Sequence, residues 1–160
     1  MHKPLPSLSY ETIRQTQNEN STLIKVAVGV IHYQNQYLLG YRDNTQHQGD
    51  LYEFIGGKID AKESGLEALV REVKEETGID IGQNRTVKLG ELNHDYGDKK
   101  VCLQVYQIAL NAGQYEQNRD RHYGLEGQAL VWVDKLDLVA EHYPLPAANK
   151  SILAWLQHQQ

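Results

Sequence analysis

From Leu23 the chain turns apolar: IKVAVGVIHY (24–33) is rich in β-branched residues, Gln34-Asn35-Gln36 follows, and YLLGYR (37–42) resumes the apolar pattern. Two such runs joined by a short polar link predict a β-hairpin whose second strand ends at Arg42. The polar stretch DNTQHQGDL (43–51) reads as a loop leading to YEFIGG (52–57), a short strand. The period then changes. Leu66, Leu69, Val70 and Val73 recur at helical spacing, with Gly56 and Gly57 ahead of them, Glu63 and Ser64 at the start and Gly78 at the end, which predicts a helix from about Ser64 to Thr77. Beyond it, Gln83 to Arg85 reads as a polar turn, VKLGEL (87–92) as a strand, HDYGDKK (94–100) as a turn and VCLQVYQIAL (101–110) as a long strand. NAGQYEQNRDRHYGLEGQ (111–128) reads as an extended polar loop, ALVWV (129–133) as a strand, and SILAWL (151–156), after Pro144 and Pro146, as a short amphipathic helix. Strands outnumber helices, and sheet separates the two helices. The expected class is α+β, a sandwich around a mixed β-sheet.

Length and composition limit this to a single core. The 160 residues, 40% of them hydrophobic, make one compact domain over residues 22–160. Residues 1–21 are polar with two prolines and read as a loose arm. A net charge of -5 argues against a nucleic-acid polymer as partner, while a charged small molecule stays compatible if metal ions supply positive charge. Cys102 is the only cysteine, so no intrachain disulfide forms, and its place in an apolar strand predicts a buried, inert thiol. Seven histidines are scattered without the spacing of a helical metal site. The opening segment has no apolar signal core and no stretch is long enough to cross a membrane, so the cytoplasm is the expected compartment.

The candidate chemistry lies on the predicted helix. Glu72, Glu75 and Glu76 stand three and four residues apart, so their carboxylates crowd one side while Leu66, Leu69, Val70 and Val73 form the other. Like charges at these spacings destabilise a helix by roughly 0.2–0.5 kcal/mol per pair. A hard divalent cation such as Mg²⁺ or Mn²⁺ would offset them; a solvated acidic face is the plainer alternative.

The pattern around them is more specific. Gly57, five residues, Glu63, seven residues, then Arg71, Glu72, Val73, Lys74, Glu75, Glu76, Thr77, Gly78 and Ile79 match the box of the Nudix hydrolases at nine specified positions over 23 residues. The chain thus resembles a Nudix hydrolase, which implies an α/β/α sandwich and hydrolysis of a phosphoanhydride in a nucleoside diphosphate derivative with divalent metal. IKVAVGVI, LYEFIGGKI, GLEGQALVWV and PAANKSILAWL extend the likeness to MutT-type enzymes over residues 23 to 156. That subgroup hydrolyses 8-oxo-dGTP to its monophosphate and pyrophosphate. Two departures stand out: Ile55 replaces the proline usual before the two glycines, and the arm ahead of Leu23 has no counterpart in the short MutT enzymes.

The resemblance implies that Glu72 and Glu76 are the principal metal ligands, that Glu75 assists, that the Gly56 carbonyl completes the site, and that Glu126 enters it or helps activate water. It further implies that Lys58 contacts phosphate, that Arg71 orients the box, that Arg42 belongs to the substrate-binding set and that Asn149 reads the oxidised purine. Glu75, Glu126 and Glu63 are the candidates for the general base. Read from the residues alone, Arg71 is structural, Lys58 a surface lysine, Glu126 a solvated glutamate and Asn149 the cap of the last helix. Other Nudix substrates remain open, among them CTP, a sugar nucleotide or a dinucleoside polyphosphate, as does a non-catalytic domain that binds a nucleotide. Loss of box glutamates would mark the last of these, and none is lost.

Overall fold

A computed structural model describes residues 23–42 and 51–159, the side chain of Arg42 excepted. The expected N-terminal arm and most of the loop after Arg42 lie outside the described residues. No helix among those described is long and apolar enough to cross a membrane.

One mixed sheet of seven strands organises the chain. Strand β1 (Leu23–Tyr33) is its centre and is buried almost continuously, as a strand covered on both faces must be. Its last residues pair with β2 (Gln36–Arg42) through the predicted hairpin, in the register His32 to Tyr37 and Tyr33 to Gln36. Gln34 takes a positive φ of 51° to make that tight link. Along its other edge β1 runs parallel to β6 (Lys100–Ala109), with Leu23 opposite Lys100 and His32 opposite Ala109. Strand β5 (Arg85–Asp95) adds antiparallel to β6, with a bulge between Lys88 and Gly90.

YEFIGG, expected as one strand, divides at Phe54 into β3 (Leu51–Glu53) and β4 (Ile55–Lys58). The division has a cause in pairing: β3 continues alongside β2, whereas β4 crosses to β1, Gly56 facing Val28 and Gly57 facing Ala27. Strand β7 (Ala129–Asp134) closes the far side of β2.

Helix α1 (Gly65–Thr77) follows β4 and packs on one face of the sheet. Leu69 and Val73 meet Ala27 and Ile31 there. The opposite face, carrying Val26, Val28 and Val30, is covered by α4 (Lys150–Gln157) through Ile152, Leu153 and Leu156. Alternation along β1 thus feeds two hydrophobic clusters, one on each face, where a single core was expected, because the sheet divides the interior; the α+β sandwich with a mixed sheet stands as expected.

Three local readings change. The stretch 111–128 is not all loop: it holds helix α2 (Ala112–Asn118), nucleated by a capping box in which the Asn111 side chain accepts from the Gln114 N–H at 2.8 Å and the Gln114 side chain accepts from the Asn111 N–H at 2.9 Å. It docks through Tyr115, stacked on Tyr33 and edge-on to Trp132. A short helix α3 (Lys135–Val139) also follows β7, and a 3-10 turn, Ala147–Asn149, precedes α4. Leu66, assigned to the apolar face of α1, is 36% exposed, and the smaller Ala68 is buried in its place. Cys102 is buried in β6, where burial first and the Glu91 carboxylate second push its thiol above the ordinary range.

Candidate active site

Helix α1 begins and ends on side-chain and backbone caps. Ser64 Oγ accepts from the Glu67 N–H at 3.1 Å, Glu67 Oε1 accepts from the Ser64 N–H at 2.9 Å, and Gly78, at φ 81°, sends its N–H to the Lys74 carbonyl. The helix is therefore a rigid platform for its glutamates.

Arg71 binds that platform to the chain ahead of it. Its Nε donates to Glu63 Oε2 at 2.7 Å and its Nη2 to Glu63 Oε1 at 2.8 Å, a bidentate pair. Nη2 also reaches the Lys58 carbonyl at 3.1 Å, and Nη1 lies 3.0 Å from Glu72 and 3.3 Å from Glu75. The bond to Glu63, with Glu72 behind it, lifts the guanidinium far above its ordinary pKa, so it stays charged. One side chain thus joins the end of β4, the Glu63 loop and α1. Arg71→Lys cannot keep two parallel bonds to Glu63. It should cost about 1–2 kcal/mol, less than a fully buried pair because the Arg71 side chain is 30% exposed, and thermal denaturation would read this.

Glu72 and Glu76 are only 1% and 0% exposed, so the solvated-face reading fails for both. Glu72 lies directly over Gly57: a Cβ built there would collide with its carboxylate, so glycine is needed for the close approach. Glu76 sits near the end of the helix, where its carbonyl accepts from the Leu125 N–H at 2.8 Å and its Oε1 accepts from Gln128 Nε2 at 3.4 Å. Glu75 is exposed beside Arg71, and Glu126 is exposed in the turn that Leu125 anchors to the helix.

The structure thus gathers Glu63, Arg71, Glu72 and Glu75 into one ion-pair cluster and brings the Glu126 turn against Glu76. Gly56 is fixed in β4 opposite Val28. Lys58 is exposed, its carbonyl and not its ammonium engaged with Arg71. Asn149 stands in the other layer, at the start of α4, fully buried at 0% exposure. It makes no capping bond, and neither Oδ1 nor Nδ2 has a hydrogen-bond partner, so the cap reading is overturned. Gln128 was missed altogether, since a glutamine within a polar stretch gives no periodic signal.

Buried carboxylates one turn apart carry a desolvation cost of several kcal/mol each unless compensated. Arg71 brings a single positive charge and spreads it over Glu63, Glu72 and Glu75. Oxygen donors with residual negative charge suit a hard divalent cation. Among the described residues, no three acidic, histidine or cysteine side chains already stand as a ready-made ligand set. Arg71 holds Glu75 to one side, and Glu126 belongs to a separate turn, so a cation would draw its ligands together from α1 and from that turn.

Comparison with known proteins agrees with this arrangement. Residues 26–155 match the NUDIX domain model. An 8-oxo-dGTP diphosphatase of Haemophilus influenzae is 33% identical over 131 residues, covering 81% of this chain and 89% of that protein. A CTP pyrophosphohydrolase of Escherichia coli is 30% identical over 131 residues, covering 82% and 89%. A solved MutT structure, from work on the Aliivibrio salmonicida and Vibrio cholerae proteins, superimposes with a TM-score of 0.64 at 27% identity over 84% of this chain and 97% of that one. With a match over most of its length and the Arg71 and glutamate cluster in place, the chain belongs to the NUDIX domain family and is a Nudix pyrophosphohydrolase of the MutT type.

Proposed function

We propose that the chain hydrolyses a nucleoside triphosphate to the monophosphate and pyrophosphate with Mg²⁺ or Mn²⁺, and that 8-oxo-dGTP is its substrate, a reaction that cleanses the nucleotide pool. The observation that carries the substrate is Asn149, a fully buried amide whose donor and acceptor are both unmatched within the protein. An amide of this kind is costly unless a ligand pairs with it, and a purine edge offers an acceptor and a donor in return.

Glu72 and Glu76 would hold the cation, with Glu75 and Glu126 completing the set and the Gly56 carbonyl beside them. The chemistry supplied by a cation held there would be positive charge for the phosphates and a lowered pKa for an attacking water. Glu63 takes the bidentate pair from Arg71 at 2.7 and 2.8 Å, against 3.3 Å for both Glu75 oxygens, which supports Glu63 as a holder of the loop and leaves Glu75 and Glu126 to take the water proton. The water oxygen bonds to phosphorus, the phosphoanhydride P–O bond breaks, and pyrophosphate departs. Arg71 keeps Glu63 and Glu72 in place throughout, Lys58 would meet the phosphates, and Arg42, its side chain outside the described residues, belongs to the proposed substrate-binding set.

A second reading, CTP as substrate, is favoured by the 30% identity to the CTP pyrophosphohydrolase. A panel of 8-oxo-dGTP, dGTP, CTP and ADP-ribose with Mg²⁺, its products identified, separates the two. The expected result is the highest kcat/KM for 8-oxo-dGTP, with its monophosphate and pyrophosphate as products. A preference for CTP would replace the first reading with the second.

A further inference from the structure

Glu76 is held by more than its own helix. The segment 121–128 passes over the end of α1 and is fastened to it three times: the Arg121 guanidinium donates to the Thr77 carbonyl, the Leu125 N–H to the Glu76 carbonyl at 2.8 Å, and Gln128 Nε2 to Glu76 Oε1 at 3.4 Å. The turn that carries Glu126 is closed on itself by Gly124 N–H to the Gln128 carbonyl at 2.8 Å and Gly127 N–H to the Gly124 carbonyl at 3.1 Å. Gln128 is thus both the closing residue of the turn and its side-chain link to the glutamate.

The burial of that link calls for an explanation. Gln128 is 7% exposed, and its Oε1 has no hydrogen-bond partner. An interior amide with an unmatched oxygen carries a desolvation cost that an apolar residue of the same size would avoid. Its surroundings also restrict it: a Cβ on Gly124 would stand 2.6 Å from that oxygen, so the amide is packed tightly against the turn. A neutral donor at this point has one property that lysine, arginine or glutamate lacks. It orients a carboxylate without cancelling the charge a cation needs and without adding to the repulsion.

We propose that Gln128 is a positioning residue of the cation site, its amide holding the Glu76 carboxylate and coupling it to the turn that bears Glu126. The inference rests on the reading of Glu76 as a cation ligand. Ligating carboxylates are themselves oriented by hydrogen bonds from neighbouring groups.

The test uses Mn²⁺ binding to the full chain without nucleotide, read from the electron paramagnetic resonance signal of free Mn²⁺, beside melting temperature and steady-state kinetics. Gln128→Met keeps the length and removes the donor. It should retain the native circular dichroism spectrum, bind Mn²⁺ on the order of tenfold more weakly, and lower kcat with little change in nucleotide KM. Gln128→Glu, which sets another charge against Glu76, should melt lower than wild type in chelator and gain more than wild type from added Mn²⁺. A Gln128→Met protein that melts lower but binds Mn²⁺ as wild type does would reduce Gln128 to packing and overturn the proposal. If that variant does not fold, equal Mn²⁺-induced stabilisation of Gln128→Glu and wild type overturns it instead. Wild type that binds no Mn²⁺, or Glu76→Gln that binds it equally well, would overturn the reading of Glu76 and this inference with it.

Discussion

Glu76→Gln should leave the fold intact and lower kcat/KM at saturating Mg²⁺ by about a hundredfold or more, since a metal ligand contributes several kcal/mol to the transition state and ~1.4 kcal/mol is a decade in rate. The expectation comes from where the residue sits. Glu76 is 0% exposed yet ionisable, on a helix capped at both ends, and the glutamine keeps its volume and can still accept from Gln128. Only the charge is lost. Because size and shape are kept, the variant in chelator should retain the native circular dichroism spectrum. Added Mg²⁺ should raise the melting temperature of wild type, because a ligand that binds only the folded state stabilises it, and should do so far less for the variant. Circular dichroism, melting curves with and without metal, and turnover decide the matter together. Near-native turnover would remove Glu76 from the ligand set.

Glu76 also marks a boundary in what the chain discloses before its structure is seen. Helix α1 was legible in its bounds because its signals are local: Ser64 caps it, Gly78 stops it, and Leu69 and Val73 recur at its period. The β1 and β2 hairpin was legible for the same reason, a short polar link between apolar runs, although Gln36, read as part of the turn, already pairs with Tyr33. The parallel pairing of β1 with β6 was not, because its partners lie 77 residues apart, as Leu23 and Lys100 do, and no local pattern selects them. The break in YEFIGG belongs to the same class: nothing at Phe54 announces it, and it exists because β2 and β1 each claim one half. Helix α2 escaped because its one signal, the Asn111 and Gln114 box, lies in a stretch too polar to show a period.

The site divides likewise. The motif gave the identities of Glu63, Arg71, Glu72, Glu75 and Glu76, while their division of labour needed coordinates. Glu63 is spent on Arg71, Glu72 and Glu76 are interior, and Glu75 stays at the surface. Burial of a glutamate runs against its usual surface habit, so composition and period misplace it.

Asn149→Ala should lower kcat/KM for 8-oxo-dGTP by roughly 1–3 kcal/mol while changing that for dGTP far less, the cost of hydrogen bonds lost to one base and not made to the other. Sequence favoured a cap at this position, and a cap would predict something else. A capping asparagine replaced by alanine typically costs about 1 kcal/mol of stability and treats all substrates alike. Here the side chain caps nothing: no bond joins it to the first turn of α4, and both amide atoms are buried without a partner. Deleting an unmatched buried amide therefore should not lower the melting temperature, and the whole penalty should fall on the substrate that pairs with it. The two readings thus differ in sign on stability and in selectivity on kinetics. Equal weakening of both substrates with a lower melting temperature would make Asn149 a structural residue and take away the main support for 8-oxo-dGTP. Selective loss at an unchanged melting temperature would assign the base-reading role to this one amide, in the layer of the sandwich opposite the glutamates.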